Sequence, residues 1–280
     1  MITIASLHCY PVKGLRSIDL TRATVLDRGF AYDREWMIVD ENHSFITQRQ
    51  ANIMATITTR LTDTHLVLEH ESAQPLAIEL DHTSGDTYAV KVWKDTCEGV
   101  DQGNEAADWL SALLATNGFD RVRLVRFAPS GERPVEPDYL DGDEAHVGFA
   151  DGYPFLVANT ATLAHLNSLL DDAVPMNRFR PNIVLHGLPA LDEHRLVSLD
   201  VKARGVHMRL PKPCQRCKVT TIDQQTGVVA DSREPLKTLV RSLSLDGLIG
   251  GFFGQNGIAT SGMGTALELG DEVTVTYTPD

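Results

Sequence analysis

The chain has 280 residues, of which 42% are hydrophobic and 22% charged, and its formal net charge is -13. A chain of this size and composition can bury the core of one large or two closely packed domains, and it is not of the disordered or fibrous classes. The acidic balance excludes nucleic acid as an expected partner, because binding to phosphates requires clustered Lys and Arg.

The first hundred residues predict a succession of strands, because they contain alternating or β-branched runs and no helical periodicity. These runs cover residues 2–10, 23–26, 36–39, 45–47, 57–61, 66–68 and 88–93. Clusters of turn-forming residues at 40–43, 71–75 and 82–86 predict the breaks between them.

Three helices are predicted further along the chain, at residues 104–117, 160–170 and 234–243. Asp101 is a candidate cap for the first helix, and Asn159 is one for the second. The remaining strands are predicted at 121–127, 155–157, 182–185, 196–201, 207–210, 218–222 and 273–277. The acidic, proline-containing segment 128–145 predicts a loop or a mobile flap.

Many short strands with only three helices predict a mixed α/β, β-rich fold of the β-barrel type, and they oppose a doubly wound parallel sheet. We place an internal division near Asp120, which gives predicted domains at 1–120 and 121–280. Residues 1–7 lack the features of an export signal, and the apolar segment 248–254 is too short to span a membrane. The sequence therefore predicts a cytoplasmic protein with no membrane partner.

Two of the four cysteines, Cys214 and Cys217, lie three residues apart beside Arg216. A neighbouring cation favours the thiolate, which is both a nucleophile and a soft metal ligand. Zinc is disfavoured because there is no second cysteine pair, and a redox pair is disfavoured because a β-type run follows Cys217. A reactive thiol, a metal ligand and two small buried side chains remain as alternatives.

Two further segments combine cations with glycine or amide groups and are candidates for binding an anion. Lys13 and Arg34 lie close to glycines at predicted strand ends, where backbone and cation together can approach a phosphate. Arg180 and Asn182 immediately precede a predicted buried strand and can orient an anionic cofactor. The alternative is that these are loop residues with solvated charges.

Taken in order, these segments resemble the MOSC-domain proteins, named for the C-terminal domain of molybdenum cofactor sulfurase, with their N-terminal MOSC β-barrel domain. The similarity is strongest to the amidoxime-reducing component group and its bacterial relatives. The matching segments cover residues 10–14, 33–36, 153–156, 180–184, 214–217, 220–223, 226–227, 234–239, 253–255 and 270–271. The resemblance implies an N-terminal β-barrel-like domain at 1–120, packed with a MOSC-type β-barrel domain at 121–280 that carries a few helices.

The resemblance also implies a cofactor, namely molybdenum bound by molybdopterin and by one protein thiolate at Cys217. It places Lys13, Arg34 and Arg180 at pterin-contacting positions, with Asn182 as a further polar contact. Gly14 departs from the small polar residue common in the family, so one hydrogen bond to the cofactor is expected to be missing. No iron–sulfur cluster is expected, because no cysteine follows Cys217, and pyridoxal phosphate is not expected either.

The function that the resemblance implies is the two-electron reduction of small N-hydroxylated compounds, such as hydroxylamines and amidoximes, with release of water. Electrons would come from a separate ferredoxin-, flavoprotein- or cytochrome-type donor. Asp33 and Asp223 lie near the motifs, but turn and cap roles are at least as expected for them as proton transfer. One alternative is a cofactor-handling or sulfur-carrier protein that uses a persulfide on Cys217. Another is a binding protein without turnover.

Overall fold

Nineteen strands and three α-helices form the regular structure of residues 1–279, the part of the chain that this computed structural model describes. The strands are β1 (Ile2–Cys9), β2 (Val12–Lys13), β3 (Ile18–Leu20), β4 (Arg22–Leu26), β5 (Gly29–Phe30), β6 (Trp36–Val39), β7 (Thr58–Leu61), β8 (His65–His70), β9 (Ala73–Glu79), β10 (Thr87–Val92), β11 (Asp95–Asp101), β12 (Arg123–Phe127), β13 (Phe155–Asn159), β14 (Ile183–His186), β15 (Leu196–Val201), β16 (Val206–Gln215), β17 (Phe252–Ser261), β18 (Ala266–Glu268) and β19 (Glu272–Tyr277). The helices are α1 (Asn104–Leu114), α2 (Thr160–Asn167) and α3 (Leu236–Ser242).

Seven of these strands close into a barrel in the order β14, β13, β17, β16, β15, β19 and β1, and β1 pairs back onto β14. All neighbours are antiparallel except β13 and β14. Closure leaves no unpaired edge, which an open sheet of this length would expose. The barrel interior is filled by apolar side chains such as Leu7, Leu199 and Met208, all of which are buried.

A second sheet, in the order β10, β11, β12, β6 and β2, lies with a three-stranded meander of β7, β8 and β9. Helix α1 covers these strands, and its Leu110 and Leu114 pack in one buried cluster with Trp36 of β6 and Leu66 of β8. The β-rich fold with barrels and three helices, predicted from the sequence, is therefore confirmed. Within residues 1–279, no helix combines the length and the apolar character needed to cross a membrane.

Strand pairing crosses the predicted division at Asp120 in both directions. Strand β1 belongs to the barrel formed by strands from the second half of the chain, while β12 pairs with β6 of the first half. The first half of the chain therefore contributes a strand to the barrel of the second half, and the second half contributes a strand to the second sheet. The division itself stays a prediction.

The structure corrects several local predictions. Residues 218–222 do not form a strand, because Lys218–Thr221 is a 3-10 helix. The hydroxyls of Thr220 and Thr221 donate to the carbonyls three residues earlier, which favours a turn over an extended run. The break predicted at 71–75 overlaps the start of β9, and residues 45–47 form only an isolated bridge at Phe45.

The helix ends also differ from expectation. Asp101 ends β11, and Gly103 is the residue before α1, with no side-chain cap. Asn159 caps α2 as predicted, since its side chain accepts a hydrogen bond from the amide of Ala161. Segment 128–145 is confirmed as mostly irregular, with a single 3-10 turn at Pro137–Tyr139.

The exchange of strands predicts that the second half of the chain does not fold alone. A fragment of residues 121–280 lacks β1, so β14 and β19 would lose a barrel neighbour and expose open edges. We expect this fragment to show no cooperative urea transition by circular dichroism, and co-expression with residues 1–120 to restore one. A cooperative transition of the isolated fragment at the midpoint of the intact chain would show that β1 is dispensable.

Candidate functional site

All five predicted site residues line one cavity of about 170 Å³ between the barrel and the second sheet. They come from five places in the chain. Lys13 lies in strand β2, and Arg34 lies in the turn after β5. Arg180 and Asn182 lie just before β14, and Cys217 lies two residues after the end of β16. These residues are Lys13, Arg34, Arg180, Asn182 and Cys217. The fold thus brings together groups that lie up to 204 positions apart in the sequence.

Lys13 reaches the cavity from a short strand that runs parallel to β6. Its buried ammonium donates to the carbonyl of Phe149 at 2.7 Å and forms an ion pair with Asp151. Burial lowers the pKa of Lys13, and the carboxylate of Asp151 opposes that shift. Asp151 also accepts a hydrogen bond from the indole of Trp93 at 3.0 Å.

Arg34 is held in place by Asn182 and Asp33. Its Nη1 donates to Asp33 Oδ2 and, at 2.9 Å, to Asn182 Oδ1. The same Asn182 oxygen accepts from the amide of Leu156, while Asn182 Nδ2 donates to the carbonyl of His8 and to Asp33 Oδ1. All four hydrogen-bonding positions of the Asn182 amide are therefore used by protein groups.

Arg180 differs from the other two cations because it has no carboxylate partner. It adopts a left-handed backbone conformation, with φ of +55°, and donates to Gln224 Oε1 at 3.1 Å. Its guanidinium and that of Arg34 lie 4.3 and 4.2 Å from the ring centroid of Tyr10. Burial lowers the pKa of Arg180 to about 10. Within residues 1–279, no carboxylate lies at ion-pair distance to offset the charge of this partly buried side chain.

The two neighbouring cysteines differ in exposure and in contacts. Cys217 is exposed, and Cys214 is partly buried with its Sγ 2.8 Å from Arg216 Nη1. The alternative of two buried cysteines is therefore wrong. Arg216 also donates to the carbonyl of Phe179 at 2.7 Å, and its buried Nε has no partner in the described part of the chain.

Sequence reasoning missed Asp151 and Trp93, which line the same cavity. Asp151 lies two residues before the Tyr153-Pro154 motif, and this proximity is the sequence feature that could have marked it as a site residue. Trp93 lies at the tip of the β10–β11 hairpin with φ of +56°, a conformation that a bulky residue rarely adopts. Asp223 accepts the backbone amides of Gln225 and Thr226 at 2.9 Å, as the expected local role requires. Asp33 instead accepts the amide of the distant Tyr10 at 2.8 Å, which is not a turn or cap contact.

The charge of the cavity is opposite to that of the whole chain. Five basic side chains line it, and Asp151 is the one carboxylate among its lining residues in the described part of the chain. The basic side chains are Lys13, Arg34, Arg49, Arg180 and Arg216. Such a convergence of cations is suited to an anionic ligand, because charge-assisted hydrogen bonds to phosphate or carboxylate are strong. A pterin cofactor with a phosphate fits this donor set.

Comparison with known families agrees with this geometry. Residues 1–117 match the MOSC N-terminal beta barrel domain, and residues 144–274 match the MOSC domain. The chain therefore belongs to the family of MOSC-domain proteins.

The chain is similar to relatives that carry two kinds of name. The chain is 30% identical over 244 residues to mitochondrial amidoxime reducing component 2 of Bos taurus and to mitochondrial amidoxime-reducing component 1 of Homo sapiens, covering 85% of this chain and 71% of each relative. It is also 30% identical over 247 residues to molybdenum cofactor sulfurase of Drosophila grimshawi, covering 85% of this chain and 30% of that protein. The resemblance inferred from the sequence is confirmed.

The saturated amide of Asn182 predicts a structural cost for its removal. Asn182→Ala leaves Arg34, Asp33 and two backbone groups without this partner, and we expect the free energy of unfolding in urea to fall by about 1–3 kcal/mol. The matched control is Asn42→Ala, because Asn42 is exposed and its side chain makes no hydrogen bond within residues 1–279. Equal unfolding midpoints for the two variants would contradict the assignment.

Proposed function

We propose that the protein is a molybdenum-cofactor-dependent oxidoreductase that reduces N-hydroxylated compounds. The observation that carries this proposal is the cation-lined cavity next to the exposed thiol of Cys217, in which Arg180 has no carboxylate partner within residues 1–279. A buried cation without a counterion is costly, so a site that keeps one is built for an anion from outside the chain. The names of two relatives, both amidoxime-reducing components, support the reaction class.

Four of the five site residues would touch the cofactor, and the fifth would hold one of these four in position. Lys13, Arg34 and Arg180 would bind its anionic groups, and Cys217 would supply the protein thiolate to molybdenum, a soft-ligand role that suits sulfur. Asn182 would act through Arg34, because its own amide is saturated. Within residues 1–279, no group of three or more His, Cys, Asp or Glu is placed to hold a metal. The other ligands of a molybdenum bound to Cys217 would come from the pterin.

The departure at Gly14 has a structural basis. Its φ is +86°, and a Cβ at this position would lie 2.6 Å from the terminal methyl group of Met54. A serine here would thus strain the backbone and displace Met54. We propose that this chain binds its cofactor without a side-chain hydrogen bond from position 14.

The proposed reaction converts a hydroxylamine or amidoxime, two electrons and two protons into the amine or amidine and water. When bound, the cofactor supplies the two-electron redox chemistry. The chain would contribute anchoring cations, a thiolate at Cys217 and a wall that orients the N–O group. The electrons would come from a separate donor protein of the ferredoxin, flavoprotein or cytochrome type. We propose the cytoplasm as its location.

A sulfur-carrier or cofactor-handling role is the second candidate. The exposed thiol of Cys217 and the similarity to a molybdenum cofactor sulfurase favour it. The two functions differ in what purified protein contains. Stoichiometric molybdenum and pterin, together with reduction of an amidoxime by a chemical electron donor, support the reductase. Repeated preparations from cofactor-competent cells without either component would exclude it.

The two cysteines are expected to respond differently to substitution. Cys217→Ser should abolish turnover and lower the molybdenum content, because it removes the proposed metal ligand. Cys214→Ser should be milder, since Cys214 contacts Arg216 instead. Metal analysis and amidoxime reduction measured on both variants test this assignment, and equal losses would show it to be wrong.

Arg180→Ala is expected to lower pterin occupancy while leaving the fold intact, because Arg180 forms no ion pair within residues 1–279 that its removal would break. The control is Arg121→Ala at an exposed position outside the cavity. Pterin content and the thermal unfolding midpoint should be measured together. Normal occupancy in Arg180→Ala would remove this residue from the proposed cofactor site.

A further inference from the structure

A wide groove of about 1210 Å³ opens beside the cofactor cavity and shares part of its wall. Both are lined by Trp93, Tyr153, Cys214, Cys217 and Asn256. A molecule in the groove would therefore lie next to Cys217 without entering the cationic cavity. The groove has room for a drug-sized compound, which typically occupies several hundred cubic ångströms.

The groove has the opposite charge balance to the cavity. Six carboxylate side chains and four Lys or Arg side chains line it, whereas one carboxylate and five Lys or Arg line the cavity. Four of the six groove carboxylates are already paired: Glu136 with Lys94, Asp95 with Arg133, Asp143 with Arg209 and Asp151 with Lys13. Asp138 and Glu144 form no ion pair in the described part of the chain, and both are exposed. The two groove cations without an ion pair there are engaged otherwise: Lys212 lies on the ring of Tyr139, and Arg216 donates to Cys214.

Aromatic rings complete the groove wall. Trp93 and Tyr139 are about half exposed, and Tyr153 lies between the groove and the cavity. The ammonium of Lys212 lies 4.2 Å from the ring centroid of Tyr139, so this ring already accepts one cation. Such faces attract apolar and cationic groups.

The hydroxyl of Tyr153 adds a polar group with an unused hydrogen-bonding capacity. It is buried and has no hydrogen-bond partner within residues 1–279. Burial raises the pKa of Tyr153 to about 12, with nearby Glu136 and Tyr139 acting in the same direction, so the group remains a neutral donor. An unpaired buried hydroxyl costs free energy, so this tyrosine keeps an unused donor in the wall between the groove and the cavity.

We propose that this groove is the substrate site and that it selects by charge. It takes N-hydroxylated compounds whose body is aromatic or apolar and whose outer end is neutral or positive, and it disfavours those that carry a carboxylate. This inference rests on the proposed reductase function. The product of the reaction also fits a groove of this charge. An amine or amidine gains a proton at neutral pH, and the resulting positive product would be repelled by the neighbouring cationic cavity.

The test compares three benzamidoximes that differ only in the para substituent: aminomethyl, methyl and carboxylate. With the holoenzyme, we expect KM for the carboxylate to exceed that for the methyl compound by roughly 3- to 10-fold, the size of two exposed charge interactions, with similar kcat. The ratio should shrink at high salt because the charges are exposed. Equal KM values for the three substrates would overturn the inference and leave the reductase proposal standing.

The double variant Asp138→Asn with Glu144→Gln should bring the three KM values together. Its control, Asp63→Asn with Glu71→Gln, makes the same change of charge at exposed positions that line neither cavity, and it should keep the wild-type ratio. Thermal unfolding of both variants checks that the fold is unchanged. A control that alters the ratio as much as the groove variant would show a general charge effect and would overturn the inference.

Binding without turnover separates this inference from the reductase proposal. Calorimetric titration of the same preparations with benzamidine, benzamide and benzoate measures the charge preference directly. We expect benzamidine to bind most tightly and benzoate most weakly, and the groove double variant to lose this order. If no benzamidoxime is reduced but this order is found, the reductase proposal fails and the charge-selective groove stands. If the groove double variant leaves the affinities for benzamidine and benzoate unchanged, the groove does not select by charge.

Discussion

The side chain of Asn182 is the connection on which the site depends. It lies immediately before a barrel strand, and its amide joins the carbonyl of His8, the amide of Leu156, Asp33 and Arg34. A buried amide of this kind has one stable orientation, because turning it would place donors against donors. The direction of Arg34 is therefore set by the barrel itself, before any ligand arrives.

A second constraint is the way charge is distributed around the cavity. Lys13 and Arg34 are each compensated by a neighbouring carboxylate, so they keep their positions at little net electrostatic cost. Arg180 lies on the ring of Tyr10 with an amide oxygen as its polar contact. The positive potential of the site thus comes from a fixed framework in which two cations are neutralised, while Arg49, Arg180 and Arg216 form no ion pair within residues 1–279. In a chain of net charge -13, this separation of charge depends on the fold, since composition alone predicts the opposite sign.

Local patterns predicted much of the fold, because alternation marks half-buried strands and Leu110 and Leu114 mark the apolar face of α1. The strand predicted at 218–222 was wrong because β-branched residues there serve a turn through their hydroxyls. The candidate site came from a family resemblance that the comparisons confirm, while spacing alone left Cys214 and Cys217 undecided. Asp151 and Trp93 could not be predicted, since their place at the cavity depends on pairing between distant strands.

The closure of the barrel by β1 has a consequence for how the chain reaches its native state. During synthesis β1 is made first, yet Ile2 pairs with Val273 and Leu7 pairs with Ile183. Strand β1 can pair early with β3, but its barrel neighbours β14 and β19 become available only after residues 186 and 277 have been made. Contacts of such long range slow folding and prolong the exposure of strand edges. The second sheet, whose strands end at Phe127, can form before the barrel closes, so this sheet is expected to be ordered before the barrel.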